Sequence, residues 1–364
     1  MSKKNHLDFH KLSQTGFLSS IFAIIIGLLV GFLILLFSNP EQAGQGFLTI
    51  VTGAFSEGSK GLGQVLYYAT PIICTGLAVG FAFKTGLFNI GASGQLTLGA
   101  LAAVAVGITM KSLGSFHWVL ALLAAVIAGA LWALIPGVLK AYANINEVIA
   151  CIMTNYIGLY LVNWMVKDIP ALFNQMENRS KAIERSAVIP KAGFDQIFRG
   201  SYVNLGILIA VAAAIIIYVV LNKTTFGYEL KAVGFNRDAS KYAGINEKKS
   251  IILSMTISGA LAGLGGGLFY LAGSGKYIEV IDELATEGFD GISVALLGLS
   301  HPIGILLAAI FIAYIKQGGF YLQLYEFSNE IIDIIVAVII YFSAFSMFVR
   351  VLFDKRNRKK IGKV

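Results

Sequence analysis

Between two apolar runs, the chain places Asn89, Ser93 and Gln95 among Gly86, Gly91 and Gly94. Their side chains donate and accept hydrogen bonds without carrying charge. Lipid offers no such partners, so a segment of this kind is buried in protein or lines a watery path. The stretch from Lys84 to Ala100 therefore points to a permeation pathway for something polar.

Ionisable groups inside apolar runs are few: Glu147 near one start, Asp290 at another and Asp333 near the last. Ion-coupled carriers place carboxylates near the bilayer midplane. These three sit near segment ends, where they complement helix N-terminal dipoles or meet water. Glu147 follows Asn144 and Asn146, so a polar helix start and a pathway role both stay open. Asp290 reads as a cap or as a ligand contact. An energy source is missing. Gly53 to Lys60 approaches the phosphate-loop pattern but ends Ser-Lys, the wrong order. Gly263 to Gly267 sits mid-span, where small residues let helices approach closely. The chain is therefore expected to hydrolyse no ATP itself and not to be an enzyme. Cys74 and Cys151 fall inside apolar runs and read as small packing residues, not as a disulfide or metal site.

These residues need a membrane scaffold. Hydrophobic residues make up 57% of the 364 and charged ones 13%, with mean hydropathy +0.76. That is the composition of an all-α polytopic membrane protein. Apolar segments fall at 17–37, 62–83, 87–108, 116–138, 146–166, 202–221, 250–273, 288–300, 302–317 and 330–352, ten in all, two of them short. They make a transmembrane domain over 17–353, between a tail at 1–16 and a basic tail at 354–364. The run Phe17 to Phe37 reads as a span and not as a cleaved signal, because no small-residue cleavage site follows it. The net charge of +8 gathers in the tails and in the loop 222–249. An even span count and this bias put both termini and that loop on the cytoplasmic side, and argue against nucleic-acid binding. Loops 167–201 and 274–287 then lie outside. Segments 288–300 and 302–317 meet at Ser300-His301-Pro302 and read as a half-helix pair. Gly86 to Gln95 and Gly288 to Leu297 both open with glycine and a polar side chain, five spans apart, which admits an inverted repeat.

The loop from Lys223 to Ser250 is no flexible linker, since Phe226, Leu230, Val233, Phe235, Tyr242 and Ile245 recur through it. Asn236 can cap a short helix that Gly244 would terminate. Such a helix lies on the membrane surface or docks into a partner's groove. The missing energy source favours docking.

Four stretches, in this order, resemble permease subunits of bacterial ATP-binding-cassette importers in the branched-chain amino acid and simple-sugar permease superfamily. Within it they look like nucleoside-importer permeases that work with basic-membrane-protein-type lipoprotein receptors. Gly86 to Gln95 is close to GLFNIGAEGQ, with Ser93 in place of the usual glutamate. Asn146 to Ile157 resembles NEVIxTxMxNYI, with Cys151 for threonine. Gly227 to Ile245 resembles the segment that docks onto the ATPase, and Gly288 to Gly298 is close to GFDGIAVALLG.

The resemblance implies a subunit that conducts nucleosides across the bacterial plasma membrane. It implies a second, homologous permease, a substrate-binding lipoprotein and a separate ATPase that holds ATP and Mg, with no cofactor or metal in this chain. It implies a substrate path near Phe88, Asn89, Gln95, Asn146, Glu147, Asn155 and Asp290, with Phe88 open to base stacking or to plain helix and lipid contact. Coupling to the ATPase would run through Gly227, Ala232, Gly234, Asn236, Tyr242, Ala243 and Gly244. The nearest alternative is a simple-sugar importer of ribose-like type. An ion-coupled secondary transporter would need a midplane carboxylate.

Overall fold

The computed structural model describes residues 9–342 apart from 274, 329 and 340, and the side chains of 9–23 and 111–113 are not described. The tail up to residue 8, the end of the last expected span after residue 342 and the tail 354–364 lie outside the described residues. The helices are α1 Phe9–Ser38, α2 Ala43–Ser56, α3 Ser59–Lys84, α4 Ala92–Thr109, α5 His117–Ala143, α6 Glu147–Asp168 and α7 Phe194–Ile197. They continue as α8 Gly206–Lys223, α9 Thr225–Phe235, α10 Arg237–Tyr242, α11 Glu247–Tyr270, α12 Thr286–Leu297 and α13 Pro302–Phe320. A further helix covers 330–339. The strands described are β1 Phe173–Asn174 and β2 Arg179–Ser180, an antiparallel pair between α6 and α7. Seven helical stretches among the described residues are long and apolar enough to cross a membrane, so the chain is an all-α polytopic membrane protein.

The described residues form two compact units, one within 54–314 and the other from 9–53 with 315–342. In the larger unit α11 crosses α5, α4 and α3 at glycines. A Cβ on Gly263 would meet the carbonyl oxygen of Ala125 and the backbone of Gly129, and one on Gly266 would meet the Leu96 carbonyl oxygen. The Gly263–Gly267 run thus brings backbones together, the role its position suggests. α3 is enclosed along most of its length, whereas α5 turns Leu123, Ile127 and Leu131 outward. The more polar helix is central and the more apolar one peripheral, as a bilayer demands. In the smaller unit Gly27 and Gly31 of α1 seat Ile339 and Ile335, and Gly318 of α13 lies against the Ile50 carbonyl oxygen of α2.

The segment boundaries differ from the sequence reading in four places. α4 starts at Ala92, not at 87, because Gly86 (φ 72) ends α3 and the chain runs non-helically to Gly91. α12 covers Thr286–Leu297, 12 residues, where the sequence reading placed a short segment at 288–300. α13 has 19 residues and continues as a 3₁₀ turn to Tyr325, so it is a full-length span and not half of a pair. The tight turn between α12 and α13 holds Leu299 and Ser300 at φ 56 and 52. Finally, α2 occupies what reads as a loop; its glycines and threonines mask a helix whose Thr49 and Thr52 hydroxyls bond back to carbonyls four residues earlier.

Gly263→Val should cut the yield of monodisperse, detergent-extracted protein severalfold. Gly44→Val, on α2 where a Cβ meets nothing within 4 Å, should leave the yield unchanged. Equal yields would mean that the α5–α11 crossing tolerates a side chain.

Candidate functional site

The interruption between α3 and α4 is built by local rules. α3 ends with paired hydrogen bonds: the Gly86 N–H donates to the Phe83 carbonyl and the Leu87 N–H to the Ala82 carbonyl. This is the glycine stop in which the residue after the cap turns left-handed. α4 then begins at Gly91 with no side-chain cap of its own. Asn155 of α6 supplies one from outside. Its Oδ1 accepts from the Gly94 N–H at 2.8 Å, and its Nδ2 donates to the Ile90 carbonyl at 3.0 Å.

Asn89 and Gln95 face each other across the break. Asn89 Nδ2 donates to Gln95 Oε1 at 2.8 Å, and Gln95 Nε2 returns a bond to Asn89 Oδ1 at 3.0 Å. Asn89 also donates to Ser258 Oγ of α11 at 2.7 Å, and Ser258 donates to the Ala78 carbonyl of α3 at 2.6 Å. Asn89, Gln95 and Ser258 are all at 0% exposure. Four helices and the break are therefore held by one dry polar cluster. Among the described residues no buried side-chain nitrogen or oxygen lacks a partner.

Other expected site residues are placed differently. Phe88 stacks on Phe83, with ring centroids 5.0 Å apart. Asn146 is the exposed cap of α6 and accepts from the Val148 N–H. Glu147, in the first turn of α6, pairs with Lys140 at 2.8 Å. Asp290 is buried on α12. The start of α12 lies against the start of α4: a Cβ on Gly288 would meet Ser93, and Ser93 Oγ donates to the Ala285 carbonyl at 2.8 Å. The two glycine-opened stretches thus touch, and Ser93 sits at their junction with little room beside it.

On the other side of the break stands α9. Gly234 abuts the turn backbone so closely that a Cβ would lie 2.6 Å from the Lys84 carbonyl oxygen and 2.9 Å from the Gly86 nitrogen. Neighbouring Val233 is buried with Leu87, Cys151 and Met255 in one apolar cluster. Gly227 lies against the Val220 carbonyl of α8, and Ala232 is half-buried. Asn236 caps α10 by accepting from the Ala239 N–H at 2.9 Å. Gly244, at φ 84, stops it with the same paired bonds that end α3. Tyr228, Phe235 and Tyr242 are exposed, and Ala243 beside them is open as well.

A cavity of about 420 Å³ opens beside the first turns of α4. Thr97, one turn past Ser93, lines it, with Tyr202, Phe269, Lys276, Thr286 and Glu287. None of the last five stands out in sequence. They come from four separate segments, and no local pattern joins them. Proceeding along the chain from Thr97 to Ser93, Asn89 and Gly86 leads from this cavity through the sealed junction to α9.

A polytopic helical bundle with a sealed polar break, a cavity on one side and an amphipathic surface helix on the other defines a membrane permease. The chain belongs to the family described as branched-chain amino acid transport system, permease component, which it matches over residues 61–344. It is 41% identical to the guanosine ABC transporter permease protein NupP of Bacillus subtilis, over 93% of this chain and 96% of that one. The nucleoside ABC transporter permease protein NupB of Lactococcus lactis is 34% identical over 93% and 94%, and the glucose ABC transporter permease protein TsgB13 of Haloferax volcanii 32% over 93% and 90%. No solved structure matches.

Asn155→Ala removes the partner of both the Gly94 N–H and the Ile90 carbonyl, each worth about 1–3 kcal/mol when left buried and unpaired. The purified protein should unfold several degrees lower, whereas Asn146→Ser, which keeps a capping oxygen, should barely shift. An unchanged midpoint for Asn155→Ala would show that the break holds without it.

Proposed function

We propose that this chain is one of two permease subunits of an ATP-driven importer that carries nucleosides across the bacterial plasma membrane. The carrying observation is the full-length similarity to two permeases whose names specify guanosine and nucleosides. Both termini and the loop holding α9 and α10 lie in the cytoplasm. A separate ATPase binds ATP and Mg and docks on α9 and α10. A lipoprotein receptor delivers the cargo on the opposite side, and a homologous second permease completes the pair. The exposed Tyr228, Phe235 and Tyr242 support a docked partner, because aromatic side chains dominate the cores of protein interfaces.

The path runs by Phe88, Asn89, Gln95 and Asn155, with Asn146, Glu147 and Asp290 nearby. In the sealed state the two amides satisfy each other. When the break opens, the same donors and acceptors are free for base edges and ribose hydroxyls, so an exchange of partners keeps every polar group satisfied. The energy for opening comes from the ATPase through α9. Gly234 meets backbone and not a flexible side chain, so displacement of α9 passes directly to the 84–86 turn. A two-state transporter needs a contact of this stiffness. A sugar importer is the second reading, favoured by the similarity to a glucose permease.

Uptake of labelled nucleosides and sugars by the reconstituted complex separates the two cargoes: guanosine should accumulate and glucose should not. Uptake that persists without the ATPase subunit would sink the ABC reading. Gly234→Leu should assemble with the ATPase yet lose at least tenfold in uptake, because the side chain wedges α9 from the turn. Normal uptake in that variant would reject α9 as the transmitter.

A further inference from the structure

The cavity beside α4 contains an arrangement that the amide cluster does not explain. Tyr202 and Phe269 line it, and Tyr67 packs against both, nearly parallel to Phe269 at 5.7 Å and 16°. The Lys276 ammonium rests over all three rings, 4.8 Å from the Phe269 centroid, 5.1 Å from Tyr67 and 5.5 Å from Tyr202. Burial pushes the Lys276 pKa down, and the Glu287 carboxylate pushes it back up. Lysine rarely surrenders hydration in this way unless something else is gained, and here it gains three ring faces. The residue sits in a loop beside Gly275, around which a Cβ would meet nothing within 4 Å.

We propose that this cavity is a nucleoside-binding subsite in which the base stacks on Phe269 and Tyr202 in place of the Lys276 ammonium. The inference rests on the nucleoside-importer reading above. Ring faces that hold a cation hold a planar base equally well, since stacking needs area and not a particular hydrogen-bond pattern. The volume lies within the range that encloses small ligands. Around the rings stand the acceptors and hydroxyls a ribose requires, Glu283, Glu287, Thr97 and Thr286. Glu279, Glu283 and Glu287 together outnumber Lys276, so the wall repels phosphate. The subsite thereby selects nucleosides against nucleotides by charge, an unfavourable contact built against the wrong ligand. Lys276 closes the empty site and yields to the cargo.

The test uses the whole importer in lipid nanodiscs, without its receptor, and the photoprobe 8-azidoguanosine. Labelling should map to the segment around Phe269 and Lys276, and guanosine but not guanosine monophosphate should protect it. Phe269→Leu should lower labelling about tenfold. Lys276→Met should raise it about threefold, because the competing ammonium is gone, an effect that lost packing alone would not produce. If the complete importer in proteoliposomes takes up guanosine but the nanodisc complex shows no protectable label there, or labels equally with Lys276→Met, the subsite is overturned while the cargo assignment stands. An importer that takes up no nucleoside at all would overturn the cargo assignment, and the subsite with it.

Discussion

Everything in the larger unit follows from one constraint: a chain interrupted inside a bilayer must satisfy its own backbone. The five residues between α3 and α4 after Gly86 have no helix to absorb their N–H and carbonyl groups. Leu87, Asn89 and Gly91 are buried and Phe88 and Ile90 half-buried, so side chains must supply partners that water does not. Asn155 takes the Ile90 carbonyl and, in the first turn of α4, the Gly94 N–H, while the Asn89 and Gln95 side chains satisfy each other. Uncharged amides are suited to this because each carries both donors and an acceptor, and two of them satisfy each other without a buried charge. The result is a break closed by hydrogen bonds and not by hydrocarbon packing alone.

That break is contacted from two directions. On one side Gly234 of α9 bears on the turn at 84–86, glycine against glycine, while Val233 anchors α9 in the apolar cluster with Leu87. On the other, Gly288 of α12 lies on Ser93. Both contacts are backbone-close, so movement at either surface is not absorbed by side-chain rotamers. The serine at position 93 fits this crowding. Its hydroxyl is held by the Ala285 carbonyl, and a longer carboxylate side chain here would need room that Gly288 occupies.

Much of this was legible in sequence where the causes are local. The Asn236 cap and Gly244 stop of α10 follow from backbone preferences of single residues. The Gly263–Gly267 run reads as a helix crossing because nothing else explains glycines in mid-span. The break after Lys84 could be seen as polar, but its non-helical course to Gly91 depends on Asn155, 61 positions from Gly94. The partners of Asn89 on α11 are equally remote, so its mutual pairing with Gln95 lies beyond any local pattern. α2 stayed hidden because its glycines and threonines resemble a loop, and α13 because its proline start suggested a short turn. The aromatic wall around Lys276 gathers residues from 67, 202 and 269, which only the tertiary fold assembles.

The central claim is that α9 opens the break between α3 and α4. Hydrogen exchange of the backbone amides of residues 84–95, in the complete importer with and without trapped ATP, tests it most directly. Slow exchange without nucleotide is predicted for the bonded amides of Thr85, Leu87, Gly94 and Gln95, which are buried. A marked acceleration is predicted when the ATPase is locked closed. Transport-competent importer in which that segment exchanges identically in both states would contradict the account.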